Sequence, residues 1–110
     1  MDYSIKYYSE AVEEEILALP DTLAARYIVL TRRMTAVGAN LGPPHKDAFG
    51  EGLFELRLKG ADGIARVFFC TLIGRRIMML HSFIKKSQKT PPRELEVARK
   101  RMKEVKDANS

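Results

Sequence analysis

Cationic side chains are the residues of this sequence whose types and spacing best fit a chemical role. Arg66 stands in an otherwise apolar run over residues 64–69, where its permanent charge needs an acidic partner or an opening to solvent. Arg57 lies in the preceding run, and Lys85 and Lys86 follow the next one. If these runs form neighbouring strands, the four cations converge and could hold a phosphate group.

The sequence leaves two interpretations open for Arg66 and two for His81. Arg66 could form an ion pair with Glu55 on the neighbouring strand, or it could bind an anion on the face of the sheet. His81 shares strand parity with Met79 and Phe83, which favours a partly buried packing role. A position at the edge of the sheet would instead allow His81 to act as an acid or a base.

The sequence predicts neither a metal site nor a cofactor site. Its two histidines, His45 and His81, have no regular spacing, which argues against a zinc site. Cys70, the one cysteine, lies between Phe69 and Thr71 in an apolar run and is predicted to be a core residue. A phosphate-binding glycine loop and a nucleophile elbow are also missing from the sequence.

Charge is divided unequally along the chain. The 110 residues are 45% hydrophobic and carry a formal net charge of +5, which predicts one domain over residues 1–110. Residues 1–50 contain five Lys and Arg against seven Asp and Glu, whereas residues 51–110 contain fourteen against seven. A basic half favours a polyanionic partner, with RNA or DNA first and an acidic protein second. With neither a secretion signal nor a membrane-spanning stretch, the sequence predicts a cytoplasmic protein.

The first half of the chain predicts one short strand followed by two helices. The strand covers residues 2–8, and the helix after it is capped by Ser9 and stopped by Pro20. A second helix is predicted to start with Asp21 as its cap and to end at Gly38.

The second half predicts a loop, three strands and a last helix. Residues 38–52 are rich in Gly and Pro and are predicted to be the loop, and residues 60–63 form a hairpin connection. The strands cover residues 53–59, 64–72 and 75–84. Thr90 is predicted to cap the last helix, with Pro91 at its first position. The fold is therefore expected to be α+β, a small antiparallel β-sheet with packed helices in the order β-α-α-β-β-β-α.

Four motifs of the second half carry a resemblance to a known family. They are G-L-F-E-L-R at 52–57, A-R-V-F-F at 65–69, R-R-I-M-M-L-H-S-F-I-K-K-S-Q-K-T-P at 75–91 and E-x-x-x-A-x-x-R-M at 94–102. In these motifs and in the order of its elements the chain resembles the RelE/ParE toxin superfamily of type II toxin–antitoxin systems, specifically its HigB-like, phage-derived branch. The stretch F-x-K-K-x-x-K-T-P at 83–91 is the most specific part.

The resemblance implies a RelE-like fold and a toxin that inhibits translation. RelE-like and HigB-like proteins are metal-independent endoribonucleases that cut mRNA in the ribosomal A site, through attack of a ribose 2′-OH on the adjacent phosphate. The resemblance also implies a HigA-like, helix-turn-helix antitoxin as partner, through which alone the toxin would reach operator DNA. A ParE-like DNA gyrase inhibitor and a non-enzymatic nucleic-acid-binding module are the alternatives.

The resemblance also assigns roles to individual residues. Arg66 matches the arginine on the central strand that contacts the scissile phosphate, so Arg66→Ala is expected to leave a folded, non-toxic protein. Arg57 matches a basic position on the preceding strand. Lys86 falls where RelE-like enzymes have an arginine after the last strand, with Lys85 beside it.

Two departures from the family pattern leave the general base open. Glu55 stands where RelE-like enzymes carry a second lysine, and the tyrosine of the family falls near Pro92. The candidate general bases are Glu55, His81 and Lys85. The residues expected to bind RNA are Lys59, Lys89, Arg99 and Arg101.

Overall fold

The elements of the chain are known from a computed structural model, which describes residues 2–38, 46–86 and 89–109. Their order is β1 (Ser4–Tyr7), α1 (Glu10–Leu17), α2 (Asp21–Val37), β2 (Lys46–Ala48), β3 (Leu53–Gly60), β4 (Gly63–Leu72), β5 (Arg76–Ile84) and α3 (Pro92–Ala108). None of the helices in these three ranges is long and apolar enough to cross a membrane. The predicted α+β class is confirmed.

The five strands form one sheet in the order β1-β5-β4-β3-β2. Strands β2 to β5 pair antiparallel, so the predicted adjacency of the three long strands is confirmed. Strand β1 pairs parallel to β5, with Ser4 opposite Arg76 and Tyr7 opposite Met79, and the sheet is therefore mixed instead of wholly antiparallel. Parallel pairing needs a long connection between the strands, and the chain from α1 to β4 provides it.

The predicted loop over residues 38–52 contains a short strand. Lys46–Ala48 forms β2 and pairs antiparallel with β3, with Ala48 opposite Phe54. The loop prediction is wrong at these three residues, because so short a strand has no detectable period in the sequence. Residues 39–45 of the predicted loop lie outside the described residues.

Two apolar clusters cover the two faces of the sheet. On one face, side chains such as Leu56 and Val67 pack against α1 and α2. On the other, side chains such as Leu53 and Phe68 pack against α3. This division follows from the alternation of side chains along each strand. Cys70 is completely buried in the α3 cluster, where burial raises the pKa of its thiol, and its predicted core position is confirmed.

The start of α2 is capped by a residue from elsewhere in the chain. Asp21 was predicted to be the cap, but it is the first residue of the helix and Pro20 precedes it. The carboxylate of Asp62, in the β3–β4 hairpin, accepts hydrogen bonds from the backbone N–H of Thr22 at 3.1 Å and from its hydroxyl at 2.8 Å. These bonds, the hydroxyl first, lower the pKa of Asp62.

Two further predicted helix ends, at Ser9 and at Gly38, are confirmed. The Ser9 hydroxyl oxygen accepts a hydrogen bond from the backbone N–H of Val12 at 3.2 Å and caps α1. Gly38 follows α2 with a φ of +87°, a conformation that favours glycine. A Cβ at Gly38 would lie 2.9 Å from the ring of Tyr3, so a side chain there would also require the Tyr3 ring to move.

Candidate functional site

Charged residues cross the α3-facing side of the sheet in consecutive rows. The pairing places Arg57 opposite Arg66, and Arg66 opposite Phe83. The backbone N–H of Lys85 donates to the carbonyl oxygen of Ile64 at 2.8 Å, which continues the β4–β5 pairing by one position. From the β3–β4 hairpin inwards, the rows are Lys59, Ile64 and Lys85; Arg57, Arg66 and Phe83; and Glu55, Phe68 and His81.

Exposure falls along these rows from the hairpin toward α3. Lys59 is exposed and both Arg57 and Lys85 are half-buried, whereas the exposed fraction is 9% for Arg66 and 2% for Glu55. Helix α3 and the segment before it therefore cover the inner rows and leave the outer ones accessible. We call the three accessible cations, Arg57, Lys59 and Lys85, the open end of the α3 face.

The cations at and beside the open end differ in their contacts. The side chains of Lys59, Lys85 and Lys86 make no hydrogen bond or ion pair with the residues that the structure describes. Arg57 and the exposed Lys89 each take part in a further interaction. The strand register places Lys85 in the row of Lys59, one row from Arg57, and Lys86 is exposed directly after it.

Arg66 lies beneath the open end and is paired with an acid. Its Nε donates to Oε1 of Glu55 at 3.0 Å, so of the two interpretations left open for Arg66 the structure shows the ion pair between the neighbouring strands. The second carboxylate oxygen of Glu55 accepts a hydrogen bond from the hydroxyl of Thr90 at 3.0 Å. Thr90 is therefore not the cap of α3, which is Pro91, with Pro92 as the first helical residue.

His81 lies in the innermost of these rows and contacts α3. Its Nε2 is 3.0 Å from Oε1 of Glu94, and its ring stacks against Phe83 at a centroid distance of 6.4 Å. Its Nδ1 is buried and has no hydrogen-bond partner among the described residues. The predicted shared parity with Met79 is wrong, because a bulge pairs Phe68 with His81 but Phe69 with Met79.

Two polar residues of this site were missed by the sequence analysis. Thr90 was interpreted as a cap and Glu94 was given no role, yet each contacts the sheet. The sequence does contain a local signal for Thr90, which stands immediately before two prolines. Because the cap of α3 is Pro91 and not Thr90, the Thr90 hydroxyl is available to contact the sheet. Glu94 has no such signal, because its contact with His81 depends on the bulge in β5.

Arg101 was expected to bind RNA, and in the structure it joins α3 to strand β5 and to Tyr8, which follows β1. Its Nη1 donates to the carbonyl oxygen of Leu80 at 2.8 Å, and its guanidinium lies over the ring of Tyr8, 4.8 Å from the ring centroid. The Tyr8 hydroxyl donates to a carboxylate oxygen of Glu104. The guanidinium of Arg101 therefore helps to hold α3 on the sheet.

Arg99, also expected to bind RNA, lines a basic groove between α3 and the turn before β3. It donates to the carbonyl oxygen of Phe49 at 3.1 Å and lies 3.5 Å from a carboxylate oxygen of Glu51. Lys106 donates to the backbone carbonyl oxygen of Glu51 at 3.1 Å. The groove has a volume of about 520 Å³ and is lined by Glu51, Arg99, Lys100, Met102, Lys103, Lys106 and Asp107.

Comparison with known protein families assigns the chain to one of them. Residues 14–103 match the model of the family described as phage derived protein Gp49-like (DUF891). The chain belongs to this family. The Gp49-like family is part of the RelE/ParE-like toxin superfamily, so the chain is a toxin-like, phage-derived protein, and the family suggests an antitoxin partner. No curated protein matches the chain at a significant level.

Proposed function

We propose that this protein is the toxin of a type II toxin–antitoxin system, of the HigB-like branch, and that it cuts translated mRNA on the ribosome. One observation carries the proposal beyond the family. On the accessible part of the α3 face, the two outer positions of β3 are the cations Arg57 and Lys59, and a third cation, Lys85, follows the end of β5. Such an array supports binding of an RNA backbone.

The geometry of the open end suits a phosphodiester group. Neighbouring strands lie about 4.8 Å apart, so the Cα atoms of Lys59 and Lys85, two strands apart, are separated by roughly 10 Å. Arg57 lies two residues before Lys59 on the same face of β3, and their Cα atoms are about 7 Å apart. Side chains of this length can reach one phosphate group from three directions and stabilise the charge that develops on it.

The proposed cleavage needs no group beyond the RNA and the protein. The 2′-oxygen of a ribose attacks the adjacent phosphorus while its proton passes to a base, and the bond from phosphorus to the 5′-oxygen breaks. The leaving 5′-oxygen takes a proton from an acid. The products are a 2′,3′-cyclic phosphate and a 5′-hydroxyl, and atoms and charges balance without an oxidant or a second substrate.

Among the three candidate general bases, Lys85 is the one whose side chain makes no hydrogen bond or ion pair with the described residues. Glu55 is buried and accepts hydrogen bonds from Arg66 and Thr90, and Nε2 of His81 is engaged by Glu94. Lys85 is half-buried at the open end. We assign proton transfer to Lys85, and phosphate binding to Arg57, Lys59 and Lys86.

Controlled expression with mapping of RNA 5′ ends tests the proposal. The wild-type protein is expected to produce codon-periodic cuts in translated mRNA. Lys85→Ala is expected to reduce cutting at least tenfold without loss of folding. Lys6→Ala is the matched control, because Lys6 is an exposed strand lysine opposite Met78, toward the other end of β5.

The same experiment separates the alternatives. Breaks in DNA without codon-periodic cuts in mRNA would contradict the proposal and favour a ParE-like gyrase inhibitor. Salt-sensitive binding to intact RNA would favour a non-enzymatic module. A helix-turn-helix protein encoded next to this one, which forms a complex with it and suppresses its toxicity, would support the type II system.

A further inference from the structure

We infer that Glu55 and Thr90 are positioning residues. Together they hold residues 89–91, which lead into α3, against the sheet, and they thereby limit which cations of the α3 face stay accessible at the open end. We call the contact of the Thr90 hydroxyl with the Glu55 carboxylate the latch. The inference rests on the proposed function for what the open end does, whereas the latch itself is independent of it.

The first argument for the latch is the burial of its acceptor. Glu55 is 2% exposed, and a buried carboxylate is costly unless its oxygen atoms are hydrogen-bonded. Each of its two oxygens has a donor: Arg66 Nε on Oε1 and the Thr90 hydroxyl on Oε2, both at 3.0 Å. The hydrogen bond from Thr90 therefore offsets part of the free-energy cost of burying the Glu55 carboxylate.

The second argument is the position of Thr90 in the chain. It lies directly before Pro91 and Pro92, neither of which has a backbone N–H to offer to the sheet. The side-chain hydroxyl of Thr90 therefore ties this segment to β3 in place of a backbone hydrogen bond. Four residues later, Glu94 makes a second contact, with His81 on β5.

The third argument concerns what the latch does to Arg66. Its guanidinium is directed to Glu55 and also donates to the carbonyl oxygen of Ala65 at 3.3 Å, and 9% of the residue is exposed. Arg66 therefore has a structural role beneath the open end. The cations that contact the substrate are those of the open end itself. Glu55 acts through Thr90 and Arg66, and it is a positioning residue and not the general base.

Thr90→Val and Thr90→Ser test the latch. Valine keeps the shape of threonine but removes the hydroxyl, whereas serine keeps the hydroxyl. We expect amide hydrogen exchange at residues 89–90 and 93–95 to accelerate about tenfold in Thr90→Val, from the loss of a hydrogen bond to a charged group. Exchange in Thr90→Ser is expected to stay within about threefold of the wild type. Thr71→Val, at an exposed strand position, is the matched control and is expected to leave exchange unchanged.

RNA cleavage by the same proteins tests the positioning role, at a temperature where all variants are folded. We expect the cleavage rate at saturating ribosomes to fall about tenfold in Thr90→Val and to be restored in Thr90→Ser. Wild-type exchange rates in Thr90→Val would overturn the latch. Faster exchange with an unchanged cleavage rate would overturn the positioning role. Absence of cleavage by the wild-type protein would overturn the proposed function and the positioning role with it, while the exchange rates would still decide the latch.

Discussion

His81 on β5 and Glu94 in the first turn of α3 are joined side chain to side chain, with Nε2 and Oε1 3.0 Å apart. The exposed fractions of these two side chains are 14% and 26%, so the contact is shielded from water on most sides. It brings together positions that are thirteen residues apart, across the segment that carries Lys85 and Lys86. The start of α3 is therefore attached to the central part of the sheet by this pair as well as by Thr90.

A double-mutant cycle with His81→Gln and Glu94→Ala is expected to show a coupling energy of about 1 kcal/mol. The cycle is needed because Glu94 also lies in the first turn of α3, where any carboxylate interacts favourably with the helix dipole. Denaturation by urea gives the four free energies of unfolding. Glu96→Ala, two positions along the same helix and exposed, is the control, and additive effects of His81→Gln and Glu94→Ala would contradict the contact.

Arg66→Ala is expected to lower the free energy of unfolding by about 3–5 kcal/mol, because it leaves the Glu55 carboxylate buried without its cation. The family resemblance implied instead a folded, non-toxic variant. Arg66→Ala combined with Glu55→Ala is expected to cost less than the sum of the two single changes. Arg32→Ala, at an exposed position of α2, is expected to change stability by less than about 0.5 kcal/mol. A fully stable Arg66→Ala protein would contradict the structural role.

The contact of Asp62 with Thr22 is expected to make stability depend on pH in the acid range. Hydrogen bonds from Thr22 lower the pKa of Asp62 below its ordinary value of 3.8, so their contribution is complete above that value. It is lost as the pH falls through the lower pKa of the folded state, because protonation removes the charge that the bonds favour.

The melting temperatures of the wild type and Asp62→Asn check this dependence. Their difference is expected to be constant near neutral pH and to shrink as the pH falls below about 4. Thr22→Val removes the hydroxyl donor. In that background, the difference in melting temperature caused by Asp62→Asn is expected to depend less on pH. A difference that is equal at about pH 6 and about pH 3 would show that the contact does not favour the charged form.

Lys59 of the open end and Lys86 beside it are expected to contribute to RNA affinity in a salt-dependent way. Each phosphate contact to a single strand contributes about 0.7 to the slope of log affinity against log salt concentration. Lys59→Ala combined with Lys86→Ala should therefore reduce this slope by about 1.4. Fluorescence anisotropy with a labelled RNA oligonucleotide measures it, with Lys6→Ala as the control. An unchanged slope in the double variant would place the RNA elsewhere on the protein.

The features that sequence predicted correctly are those with a local physical cause. The alternation of Phe54, Leu56 and Leu58 with charged residues defined β3, and Ser9 and Gly38 defined two helix ends. The charge of Arg66 in an apolar strand required an acidic partner or an opening to solvent, and the structure shows the first of these, with Glu55 as the acid. These outcomes depend on a few neighbouring residues and on general rules of burial.

The sequence alone determined that this chain has a basic second half, three adjacent strands and an arginine that needs an acidic partner or an opening to solvent. Only the tertiary structure decided which cations are accessible, because that depends on where α3 and the segment before it lie over the sheet. The contacts that place them join distant positions: Thr90 to Glu55, and Glu94 to His81. They depend on the strand register, on a bulge and on the packing of a helix, none of which a local pattern specifies.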